Sequence, residues 1–121
     1  MIVFKSGSFE PQFDELDNRL KHIIYALAGF IENEFKKDLV ITSVWRHSNT
    51  ESTHYYYRAI DFRIHQSGQE EPYYTEEETI EIEKFLGCYR YDSSHLTLRI
   101  HGEPPHGHLQ VNREEFTRLY R

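Results

Sequence analysis

The chain has 121 residues and a single cysteine, Cys88, which fits one domain with one core and excludes both an internal disulfide and a cysteine-based zinc cluster. Hydrophobic residues make up 38% and charged residues 28%, with nine Tyr and eight Phe, so enough large apolar surface is present to bury and a disordered chain is excluded. The net charge of -6 speaks against a nucleic-acid backbone as partner, and no stretch approaches the ~18 apolar residues of a membrane span.

In chain order, Pro11 to Phe35 carries Phe13, Leu16, Leu20, Ile23, Ile24, Leu27, Ile31 and Phe35 at three- and four-residue steps, which predicts one long core helix. Leu39 to Trp45 is rich in β-branched residues and predicts a strand. After a polar loop from Arg46 to Thr53, Ala59 to His65 alternates, with Ile60, Phe62 and Ile64 on one side and Asp61, Arg63 and His65 on the other. Thr75 to Leu86 predicts a helix opened by a capping box, Thr75 with Glu78, and its early acids suit the positive end of the helix dipole. Two further alternating strands, Leu96 to His101 and Gly107 to Val111, precede a short closing helix from Arg113 to Tyr120.

The order α-β-β-α-β-β-α predicts an α+β domain spanning residues 1–121: a small antiparallel sheet with helices on one face. The other face then holds Asp61, Arg63, His65, Thr97, Arg99, His101, His106 and His108. Four histidines and a carboxylate are more than solubility requires.

Catalytic zinc takes three protein ligands and keeps a fourth position open, and His and carboxylate suit it. His54 at the end of a loop and Asp61 inside the next strand can meet at one ion, with a third ligand from the strand that carries His106 and His108. The run Ser52-x-His54-x-x-Tyr57-x-Ala59-x-Asp61 resembles the Ser-x-His-x-x-Gly-x-Ala-x-Asp signature of the zinc D-alanyl-D-alanine peptidase family, with Tyr57 where the signature has Gly. Thr42 to Arg46 looks like that family's strand ending in a substrate-binding Arg, and Glu103 to Val111 looks like its C-terminal zinc strand.

The resemblance implies the Hedgehog/D,D-peptidase fold, a Zn2+ cofactor, and hydrolysis of an amide bond in peptidoglycan stem peptides, as in D,D-carboxypeptidases and phage endolysins. It implies His54 and Asp61 as ligands. The third ligand is open between two registers: Glu103-x-x-His106, with His106 as ligand, or His106-x-His108, with His108. The residues after the pair favour His108. Glu103 is then the general base, His106 the group that steadies the oxyanion or orients Glu103, and Arg46 the fork for a substrate carboxylate. The alternative is a non-catalytic zinc-binding module of the same fold. His47, His65, His95 and His101 are expected to be structural or solvent-facing, Tyr55 to Tyr57 to pack over the loop, and Cys88 to be a small buried residue. Met1 to Lys5 shows no signal-peptide pattern, so cytoplasmic synthesis is expected, with action at the bacterial wall and a monomeric state.

Overall fold

The structure is a computed structural model, and it describes residues 1–45, 53–65 and 72–113. The described elements are β1 (Ile2–Phe4), α1 (Phe9–Asp14), α2 (Asn18–Phe35), β2 (Leu39–Ser43), a 3-10 helix (Thr53–Tyr56), β3 (Ala59–Arg63), α3 (Glu76–Leu86), β4 (Leu98–His101) and β5 (His106–Gln110). The five strands form one sheet in the order β1-β2-β3-β5-β4. The mixed α+β class expected from the sequence holds. The closing helix expected from Arg113 to Tyr120 lies, beyond Arg113, outside the described residues, as do the loops 46–52 and 66–71.

The sheet departs from the expected antiparallel pattern at one edge. β1 was not expected, and it pairs parallel with β2, Ile2 beside Leu39 and Phe4 beside Ile41. Three apolar residues at the start of a chain are too few to show a period, so only the tertiary pairing makes them a strand. The remaining three pairings are antiparallel. No described helix is long and apolar enough to cross a membrane.

The long helix expected from Pro11 to Phe35 is two helices. Asp17 is extended (φ -50°, ψ 133°), and its carboxylate accepts from the Arg19 amide at 2.9 Å, which caps α2. Its own amide donates to the Tyr57 carbonyl at 2.9 Å. Short acidic side chains compete in this way for backbone groups, and a cap of this kind is worth about 1 kcal/mol. The apolar period runs on through the break, because Phe13 and Leu16 before it and Leu20, Ile23, Ile24, Leu27 and Ile31 after it all enter the same core. α3 begins as expected: Thr75 and Glu78 form a reciprocal capping box. Glu78 also accepts from Lys37 Nζ at 2.6 Å, which ties α3 to the segment before β2.

The core lies on one face of the sheet. Leu39, Ile41, Ile60, Phe62, Ile64, Leu109 and Val111 join the apolar faces of α2 and α3 there. The β3–β5 register sets Ile60 beside Leu109 and Phe62 beside Gly107. Gly107 is required at its place, since a Cβ there would meet the Phe62 ring at 2.2 Å. Cys88, expected to be buried, is only half-buried.

Candidate metal centre

The same register that pairs Phe62 with Gly107 sets Asp61 directly opposite His108 and Arg63 opposite His106 on the other face. β4 continues these rows with Arg99 beside His108 and His101 beside His106. The row holding Asp61 also reaches Ser43 on β2, across an irregularity in the β2–β3 pairing. Residues expected together on the open face of the sheet therefore divide. Asp61 and His108 are buried, at 3% and 8% exposed, whereas Arg99 and His101 are not. Thr97, expected on the same open face, is also buried.

The burial of Asp61 comes from the 3-10 helix. His54, 2% exposed, lies against Asp61 and His108, with the two imidazoles edge to face at 5.1 Å. His54 donates from Nδ1 to the Val44 carbonyl at 2.6 Å. A neutral ring held this way keeps its lone pair on Nε2, which lies 3.3 Å from Asp61 Oδ1. His108 Nδ1 lies 2.8 Å from the same oxygen, and its Nε2 lies 3.0 Å from Gln110 Oε1. His106 reaches only the outer oxygen, Nε2 to Oδ2 at 3.9 Å.

Burial by itself would raise the Asp61 carboxyl, but the imidazole of His108, then that of His54, lying against it outweigh burial and hold the group well below the usual carboxylate range. Asp61 is thus an anion between two imidazoles. Among the described residues, His54, Asp61 and His108 form a buried group whose candidate ligand atoms all lie within 4.8 Å of one another and could hold a metal ion. Two imidazole nitrogens and one carboxylate are suitable donors, and the Val44 carbonyl orients one ring as ligating histidines commonly require.

A cleft of about 300 Å³ opens beside this group, lined by Lys5, Ser43, Asp61, Arg63, Glu103 and His106. Glu103 sits in the β4–β5 turn, exposed, on the same cleft as His106. A larger hollow of about 470 Å³, floored by Ile64, Ile80 and Ile100, shares His65 and Pro105 with it but touches none of the three buried donors. Of the two, only the smaller cleft has one of the three buried donors, Asp61, in its wall. His101 packs on His106 and His108, and burial, then those two neighbours, push its ring below the ordinary imidazole range.

Of the residues singled out from the sequence, His54, Asp61 and His108 come together, and His106 and Glu103 line the cleft that Asp61 borders. Arg46 lies outside the described residues, as do Ser52 and His47. His95 is exposed and bonds Asp92 at 2.9 Å, away from the site. Tyr57, which stands where the resembled signature has Gly, adopts φ +59° and stacks on Trp45 at 6.3 Å. A side chain at that φ is uncommon, and the position is one that glycine occupies without cost.

Two residues of the site were not foreseen. Lys5 reaches the cleft because β1 pairs with β2, which the sequence pattern did not reveal. Gln110 bonds His108; its place two residues further along the same strand was the available signal, but glutamine is not a usual metal ligand. The chain matches no family model and no curated protein.

Proposed function

We propose that this protein is a small zinc-dependent peptidase of the Hedgehog/D,D-peptidase fold, acting on an amide bond of peptidoglycan stem peptides. The observation that carries the reading is the buried His54–Asp61–His108 group beside a cleft that also holds Glu103 and His106. Soft sulfur ligands are missing from the group, and two imidazoles with one carboxylate suit zinc. The family and substrate class rest on the spacing Ser52-x-His54 to Ala59-x-Asp61 and on the strand with His106 and His108.

When bound, zinc would supply Lewis acidity and a water made acidic enough to give up its proton near pH ~7. Glu103 would be the general base, its carboxylate accepting a proton from the attacking water and passing it to the leaving amine. Its position on the exposed turn leaves it free to serve as a base without acting as a ligand. His106, half-buried between Asp61 and the cleft, donates to the oxygen on which charge develops. Arg46 holds a carboxylate of the peptide. The enzyme acts as a monomer at the bacterial wall.

The test is metal content of the purified protein, with and without added zinc, followed by release of new amino groups from purified peptidoglycan. Zinc at one equivalent with turnover supports the reading. Absence of zinc uptake refutes the metal centre, and a zinc-loaded protein without turnover on varied stem peptides leaves a zinc-binding module.

A further inference from the structure

We propose that Gln110, held in place by Thr53, selects Nδ1 of His108 as its metal-binding atom; Gln110 is a positioning residue that touches neither metal nor substrate. The inference rests on the metal centre proposed above.

An imidazole offers a metal either of two nitrogens, and the hydrogen bond made by the other decides which. In His108 the two nitrogens face different partners. Nδ1 points at Asp61 Oδ1, 2.8 Å away and inside the cluster of donors. Nε2 points at Gln110 Oε1, 3.0 Å away. A cation at Nδ1 requires the ring hydrogen to sit on Nε2, and that hydrogen then needs an acceptor. Gln110 presents one. Both partners are fixed by the sheet: Asp61 on β3 stands opposite His108, and Gln110, two residues along β5, lies on the same side as His108.

The amide is itself held. Thr53 Oγ1 donates to the same Gln110 Oε1 at 3.1 Å, so the two lone pairs of that oxygen are taken by His108 and Thr53. Thr53 directly precedes His54 at the start of the 3-10 helix. The chain Thr53–Gln110–His108 therefore joins the element that carries one ligand to the strand that carries another. His54 shows the complementary arrangement, with Nδ1 spent on the Val44 carbonyl and Nε2 turned to Asp61. The two imidazoles thus use opposite nitrogens, each set by a partner outside the cluster. The backbone of Gln110 remains in the sheet, its amide bonded to the Thr97 carbonyl at 3.1 Å, so a side-chain change leaves the ladder intact.

The test compares wild type, Gln110→Leu and Gln110→Glu in the whole 121-residue chain. Zinc ion alone is titrated in competition with a chromophoric chelator, cobalt(II) spectra report ligand geometry, and melting of the metal-free proteins reports folding. Leucine removes the acceptor at similar size, and zinc affinity is expected to fall about 10- to 100-fold with unchanged folding. Glutamate restores an acceptor, and affinity is expected to return to the wild-type value or above it. In zinc-loaded wild type, nitrogen NMR should place the His108 ring hydrogen on Nε2. Equal zinc affinity and superimposable cobalt spectra in wild type and Gln110→Leu overturn the role of Gln110 while leaving the metal centre standing. A parallel loss in Gln110→Glu and Gln110→Leu also overturns it. A wild type that binds no zinc overturns the metal centre and with it this inference.

Discussion

Asp61 and His108 face each other across the β3–β5 ladder, Oδ1 to Nδ1, at 2.8 Å. With His54 over them they make a three-donor group, and His106 stands one row away, nearer the other carboxylate oxygen. Alanine at His54, Asp61 or His108 is therefore expected to abolish stoichiometric zinc binding, and His106→Ala to keep it. Metal analysis after dialysis decides this. Loss of zinc in His106→Ala with retention in His108→Ala would reverse the assignment. In wild type, zinc affinity should fall as pH falls, because protons compete for the imidazoles.

Glu103 separates a peptidase from a binding module. Glu103→Gln keeps size and hydrogen bonding but cannot take a proton. Zinc content and folding should be unchanged, since Glu103 is exposed and outside the donor group. Turnover on wall fragments should drop by a factor on the order of 10²–10⁴. Equal rates at matched zinc occupancy would remove Glu103 from the mechanism and leave His106 as the candidate.

Two glycines should respond with opposite signs to the same change. Gly107→Ala drives a methyl group into the Phe62 ring, where 2.2 Å is available, and should destabilise by about 1–3 kcal/mol. Gly29 lies on α2 with open space around it, and Gly29→Ala should stabilise by about 0.5–1 kcal/mol. Denaturant unfolding of the two variants measures both.

Acid should loosen the attachment of α3. Burial would raise the Glu78 carboxyl, but the bond from Lys37 and the Thr75 amide outweigh it and lower the group. A carboxyl lowered in the folded state binds protons more readily when unfolded. Its contribution is therefore complete above the ordinary glutamate value of about 4.3 and is lost as pH falls through the lower folded value. Glu78→Gln should cost about 0.5–1 kcal/mol at pH 7, and the gap from wild type should close below pH ~4. Stability measured against pH would contradict this if the gap stayed constant.

The elements were legible where a period was long or a cap was local. Thr75 and Glu78 announced α3, and the alternation of Ile60, Phe62 and Ile64 announced β3 and its core face. The break at Asp17 was not legible, because the apolar period runs through it while the Asp17 carboxylate and the Tyr57 carbonyl interrupt the backbone. β1 escaped for want of length. At the site, parity placed His106 and His108 on the side of Asp61 but could not choose between them, since both have the same parity. The burial of Asp61 was hidden too, because it depends on a 3-10 helix that returns over the sheet from a polar loop.

The contact between Phe62 and Gly107 has a consequence on the opposite side of the sheet. A slip of β5 by two residues would keep every side chain on its own face and would bring His106, in place of His108, opposite Asp61. That slip sets Pro105, which has no N–H to give the ladder, opposite Phe62, and leaves Ile60 facing a glycine while Leu109 loses its partner. An aromatic ring that fits over one glycine in the apolar core thus selects which of two nearly equivalent histidines meets the carboxylate. Which histidine joins His54 and Asp61 in the donor group is in this sense a packing decision, made where no polar side chain is present, and a change in ring size at position 62 bears on the donor set.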